Sequence, residues 1–171
     1  FAPPAPGQVK YQDKRLLVLF FDLAGMPVPD QLRVQQSAGK FIREQMTQSD
    51  MVAVMTYTTD LNLLQDFTSD RELLLTTLNK LSVNDNGMGN GATGADNESD
   101  IGAAFTQDDS EFNLFNTDRK LAALENTAKM LGVLPEKKAL VYFASGMTRN
   151  GTDNQAQLSA TVNAAVRNNV A

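Results

Sequence analysis

The run Arg15-Leu-Leu-Val-Leu-Phe-Phe21 leaves the chain few folds to choose from. As an extended strand it is apolar on both faces, so neither face can be left in water. Such a strand belongs inside a mostly parallel sheet with helices packed on both sides. Asp22 closes the run and opens the loop Asp22-Leu-Ala-Gly-Met-Pro27. Open α/β sheets bind ligands outside the carboxyl ends of their strands, which puts this carboxylate where a site is expected.

The rest of the chain alternates strands with helices. Residues 1–13 are Pro-rich and read as a linker, with the domain running from 14 to 171. Asp30 is placed to cap a helix reaching about Met46, with Val34, Ala38, Phe41, Ile42 and Met46 on one face. Met51 to Tyr57 is a second buried strand, followed after Thr58-Thr-Asp60 by Leu61 to Gln65. That connection is too short for a parallel crossover, so the third strand returns antiparallel as a sheet edge.

Ser69-Asp-Arg-Glu72 has the form of a capping box opening a helix over 70–81, with Leu74, Leu75, Leu78 and Leu81 inward. Residues 82–116 are rich in Gly, Asn and Asp and read as one long loop, pinned back onto the domain by Phe105, Phe112, Leu114 and Phe115. The spacing of Leu121, Leu124, Ala128 and Leu131 predicts a helix over 117–134. A fourth strand covers 138–144. Asp153 then caps a last helix with Leu158, Val162, Ala165 and Val166 buried. The chain ends at Asn168-Asn-Val-Ala171, where a further strand is expected, so its C-terminal part reads as truncated. Starting at Phe1 rather than Met, it reads as a segment of a longer product.

Composition removes several chemistries. With no His and no Cys, zinc sites of the usual kind, Ser-His-Asp and Cys-His catalysis and disulfides are all out of reach within these residues. A net charge of −5 argues against nucleic acid, which needs a concentrated basic face. The basic pairs Lys14-Arg15 and Lys137-Lys138 precede strands and read as solvated flanks. No run is long and apolar enough to span a membrane.

Short right-handed connections place strand one centrally, with strand two on one side and strand four on the other. The switch point then lies between strands one and four, with Asp22 and Ser145 on its rim. Thr117, opening the helix that feeds strand four, reaches the same rim and offers an oxygen that suits Mg²⁺ or Ca²⁺. Equally, Thr117 serves as an ordinary helix N-cap, and Asp22 as an acceptor ordering its own loop. Three weaker patterns do not amount to sites. Gly87-Met-Gly89-Asn-Gly91 lacks the context of a dinucleotide fingerprint. Asp96, Glu98 and Asp100 lack the turn glycine of a calcium loop. Ser145 lies outside any Gly-x-Ser-x-Gly elbow.

From about residue 14 the chain resembles the von Willebrand factor A (VWA) domain, and within it the bacterial VWA-related domains first described in acidobacteria. The resemblance rests on Arg15-Leu-Leu-Val-Leu-Phe-Phe-Asp22, Leu64-Gln-Asp-Phe-Thr-Ser-Asp-Arg71, Glu136-Lys-Lys-Ala-Leu-Val-Tyr-Phe-Ala-Ser-Gly146 and Gly151-Thr-Asp-Asn-Gln-Ala-Gln157. It implies a three-layer α-β-α, Rossmann-like fold with a mostly parallel sheet and one antiparallel edge strand. It also implies a metal-ion-dependent adhesion site, patterned Asp-x-Ser-x-Ser with a later Thr and a later Asp, whose cation receives a partner's carboxylate. Here Asp22 matches the first Asp and Thr117 the Thr. Ala24 and Met26 stand at the Ser positions and Ser145 at the last Asp.

The expected metal ligands are therefore Asp22, Thr117 and Ser145, a degenerate set with one formal negative charge. It leaves at most weak Mg²⁺ or Ca²⁺ binding and no resident cofactor. The function expected on this basis is non-enzymatic protein binding through the rim formed by 22–29, 82–117 and 145–153. The resemblance places it outside the cell or in the cell envelope. Two alternatives stand beside it: a divalent-cation-dependent module or metal-dependent enzyme using the Asp22/Thr117 crevice, and a structural subunit assembling through a sheet edge.

Overall fold

The computed structural model describes residues 11, 13–85, 109–145 and 154–171, with backbone alone for 82–85 and 109–114. The Gly87–Gly91 run, the Asp96/Glu98/Asp100 pattern, Phe105 and Asp153 lie outside the described residues, as do the side chains of Phe112 and Leu114.

The described elements are β1 (Arg15–Asp22), α1 (Val28–Glu44), β2 (Asp50–Tyr57), β3 (Leu61–Thr68), α2 (Arg71–Asp85), α3 (Asp109–Leu131), β4 (Lys137–Phe143) and α4 (Gln155–Arg167). They form an α/β domain around a four-stranded sheet of order β3-β2-β1-β4. β1 pairs in parallel with β2 and β4, and β3 returns antiparallel on β2. The switch point between β1 and β4, and the antiparallel edge strand, are as the connection lengths require. Among the described residues no helix is long and apolar enough to cross a membrane.

Burial of β1 on both faces divides the core. Leu16, Val18 and Phe20 join Met55, Tyr57, Ala123, Leu131 and Leu134 on the α3 face. Leu17, Leu19 and Phe21 join Ala38, Ile42, Leu74 and Leu78 on the opposite face, under α1 and α2. Phe21 stacks on Phe143 of β4 with ring centroids 4.9 Å apart. Packing extends back to Tyr11, which is buried and meets Phe67 edge-on at 5.6 Å, so the end of the Pro-rich segment belongs to the core.

At the amino ends of the strands, Asp50 is held by four donors. Arg15 contributes Nε at 2.7 Å and Nη2 at 3.0 Å, and Thr47 its backbone N–H at 2.8 Å and hydroxyl at 2.9 Å. Burial alone pushes the Asp50 carboxyl up, but these bonds outweigh it and hold its pKa below the usual value. Of the basic pairs, Arg15 and Lys137 are exposed, as solvated flanks are, although Lys14 donates to Gln48 O and Arg15 pairs with Asp50. Lys138 differs, being buried with Nζ 2.6 Å from Leu134 O.

Several helix boundaries differ from those predicted. α1 begins at Val28 with Pro27 as N-cap, so Asp30 lies inside the first turn and pairs with Arg33 at 3.0 Å. α2 is capped by Asp70 rather than Ser69. The Asp70 carbonyl accepts the Leu74 N–H and its carboxylate the Leu73 N–H, both at 3.1 Å. α3 begins at Asp109, so 109–116, expected within a loop, are helical. Phe115 is 60% exposed and pins nothing down.

On α4 the expected buried stripe holds only in part. Leu158 and Ala165 are half-buried, but Val162 and Val166 are 52% and 72% exposed, while Ala164 is buried and Gln157, Thr161 and Asn168 are half-buried. Gln157 bonds Glu125, Thr161 bonds Leu121 O, and Asn168 packs against Gly132, where a Cβ would collide with its amide. α4 thus docks on the helix α3 through small and polar residues rather than on the sheet through branched ones. Beyond α4 the chain returns to the sheet. Val170 pairs in parallel with Lys138, and Leu140 N–H donates to Ala171 O at 2.8 Å.

Two outcomes follow. Ala164→Leu is expected to cost about 1–3 kcal/mol by overpacking the α3 contact, while Val166→Ser stays within about 0.5 kcal/mol of wild type; urea unfolding measures both. Asp50→Ala is expected to cost about 1–3 kcal/mol at neutral pH. Because the folded-state pKa of Asp50 is depressed, its contribution is present above the unfolded value of about 3.9. It is lost as pH falls through the folded value, so the gap between wild type and variant closes in acid.

Candidate functional site

Asp22 is the last residue of β1 and is only 1% exposed. Its side chain lies on the α3 face, two residues on from Phe20, in line with Tyr142 of the adjacent strand. The loop that follows is tightly wound. Asp22 Oδ1 accepts the Ala24 N–H at 3.1 Å, and the Met26 N–H returns to Leu23 O at 3.2 Å. Gly25 has φ of +74°, which this turn needs at its third position and which a residue with a Cβ resists. Met26 is buried beneath the loop, and its carbonyl accepts from Gln31 Nε2 at 2.8 Å.

The second carboxylate oxygen faces two further groups. Tyr142 donates its hydroxyl to Oδ2 at 2.7 Å, and the Lys120 ammonium lies 2.9 Å from the same atom. Lys120 also donates to Ala24 O at 3.0 Å, so a single ammonium bridges the strand end and the loop. Its side chain is only 14% exposed. Burial, with the bond to Asp22 adding to it, drives the Tyr142 phenol well above its usual pKa, so it stays a neutral donor. Ion and counter-ion leave the cluster with no net charge.

Of the three expected ligands, Asp22 is at the centre of this cluster. Thr117 is buried and lies one turn before Lys120 on the same face of α3, but it is well inside the helix rather than at its start. Its N-cap reading is therefore corrected. Ser145 is exposed beyond the end of β4. Neither residue bonds Asp22 among the described residues. Ala24 contributes its carbonyl, but to Lys120, and Met26 contributes packing.

The donor set does not suit a divalent cation. Among the described residues of the cluster there is one carboxylate, and it already meets an ammonium, a phenol and a backbone N–H. No group of three or more carboxylates placed to hold a metal occurs among the described residues.

Lys120 and Tyr142 were not among the residues singled out in the sequence, though both leave a trace there. Lys120 interrupts the apolar stripe of α3, between Thr117 and Leu121/Leu124. A lysine in such a stripe calls for a buried partner. Tyr142 shares with Asp22 the strand parity that faces α3, once β4 is set beside β1.

Above the cluster, α3 projects past the strand ends. Arg119 donates to Thr59 O in the β2–β3 turn at 3.1 Å, and its guanidinium stands 5.6 Å from the centroid of the exposed Phe115 ring. Asp118 accepts from Asn154 Nδ2 at 2.7 Å, tying α3 to the start of α4.

Asp22→Ala leaves the Lys120 ammonium buried without its counter-ion and is expected to cost about 3–5 kcal/mol. Tyr142→Phe removes one bond to a charged acceptor and is expected to cost about 1.5–3 kcal/mol. Chemical denaturation of the two variants checks the order as well as the size.

No protein-family profile matches the chain, and a search of curated proteins returns no relative.

Proposed function

We propose that this chain is a VWA-type domain that binds a protein partner without catalysing a reaction. On this reading it works outside the cell or in the cell envelope, through the rim at the carboxyl ends of its strands. The observation that carries the proposal is the internal neutralisation of Asp22. A general base or nucleophile at the switch point needs a free, reachable charge. Here the one carboxylate at that position is buried, with both oxygens engaged inside the fold.

The order of elements and the central place of β1 support the VWA reading. The rim supports the binding role, since it carries an exposed aromatic ring with an arginine stacked over it. Trp, Tyr and Arg dominate binding hot spots, and Phe is also enriched at interfaces. A ring beside a guanidinium suits a partner surface that pairs an apolar patch with an acidic group.

Phe115→Ala and Arg119→Ala test this reading. Each is expected to weaken capture of the partner about tenfold or more, with an unchanged circular dichroism spectrum. Full capture by both folded variants would rule out the α3 rim as the binding face.

A second reading, assembly through the sheet edge, has its own support. Val141 of β4 is 37% exposed, Val162 and Val166 are exposed on α4, and among the described residues the outer edge of β4 is paired only near its start. Light scattering of the wild type against Val162→Asp/Val166→Asp distinguishes the two. A monomeric wild type across the micromolar range removes self-assembly.

A further inference from the structure

We infer that Lys120 is a tethered cation standing in place of a divalent ion at Asp22, so that this rim is built to work without metal. The inference deepens the binding-domain reading and rests on it for the meaning of the rim. Its chemistry, however, is carried by one cluster of side chains.

The Lys120 ammonium occupies the space a cation would need. It lies 2.9 Å from Asp22 Oδ2 and 3.0 Å from the Ala24 carbonyl, two oxygens that would otherwise face an incoming ion. Tyr142 takes Oδ2 from the β4 side at 2.7 Å, and the Ala24 N–H takes Oδ1 at 3.1 Å. A divalent ion would have to expel an ammonium attached to the same chain, which returns as fast as its stem can swing. It would then meet a single carboxylate, and Mg²⁺ would have to fill its octahedral positions with water.

Charge points the same way. One carboxylate with one ammonium is already neutral, so with Lys120 in place a divalent ion would bring two further positive charges into a site that is 1% exposed at Asp22. The neighbouring residues match the arrangement. Ala24 supplies a backbone carbonyl that an ammonium can use, and Met26 fills the space beneath the loop with an apolar side chain. Lys120 also ties α3 to β1 across the switch-point crevice, holding the rim in a single geometry as a bound ion would.

The test uses the isolated chain and no partner, so its outcome is independent of whether the binding-domain reading holds. After chelator treatment, Mn²⁺ binding is measured by the loss of the free-ion electron paramagnetic resonance signal. Melting temperatures are recorded in Mg²⁺, Mn²⁺ and Ca²⁺. Neither wild type nor Asp22→Asn is expected to bind Mn²⁺ or to change its own melting temperature when a cation is added. Lys120→Met and Lys120→Gln each clear the position, the second keeping a polar side chain if the first does not fold. Either is expected to gain a Mn²⁺ site that Asp22→Asn abolishes, with melting raised by roughly 5–10 °C at a hundredfold excess over Kd. Binding of Mn²⁺ by the wild type that disappears in Asp22→Asn would overturn the inference. So would folded Lys120→Met and Lys120→Gln proteins that both ignore the ion.

Discussion

A strand that is apolar on both faces has to be covered on both faces, and the architecture follows from meeting that demand for β1. Its two sets of side chains seed two separate cores, one under α1 and α2 and one under α3. Covering both sides makes β1 central, and a central parallel strand with neighbours reached by opposite crossovers ends at a switch point. The residue that ends it is therefore carried into the crevice, whatever its type. That this residue is an aspartate creates the main electrostatic problem of the fold.

The solution is internal. A carboxylate that is 1% exposed must be paired and hydrogen-bonded, and Asp22 draws one partner from its own loop, one from β4 and one from α3. The three come from different parts of the chain, so the cluster fastens α3 and the loop after β1 to the paired strands β1 and β4. At the other end of β1, Asp50 of β2 is held by Arg15 and Thr47. β1 is thus fastened by a charged cluster at each end, to β2 at one and to β4 and α3 at the other. The difference lies in exposure: the Arg15 side chain is 54% exposed, while Lys120 is drawn inside at 14%.

Legibility in the sequence depended on how local the physics was. Strands were legible because a buried strand is an uninterrupted apolar run, and the antiparallel return of β3 because three residues cannot cross over. Helix starts were less so. Ser69 and Asp70 both suit a cap, and only backbone geometry selects the residue whose carbonyl takes the first helical bond. The first turns of α3 carry no periodic stripe long enough to distinguish helix from anchored loop. On α4 the branched residues Val162 and Val166 form the more apolar stripe, yet Ala164 and Thr161 face α3, because helix-to-helix contact there rewards small side chains. Of the site, Asp22 and its loop bond to Ala24 were legible, while Tyr142 and Lys120 were not.

What the residues determined on their own was the α/β class, the central strand, the position of Asp22 at the switch point, and the absence of hydroxyl side chains at Ala24 and Met26. These depend on composition and on contacts close in sequence. What only the tertiary structure decided was the company Asp22 keeps. Lys120 lies 98 residues beyond it in the chain, and Tyr142 lies 120. Both reach the carboxylate only once α3 lies over β1 and β4 pairs beside it. Periodicity can assign a residue to a face, but the partner of a buried charge is set by which faces meet.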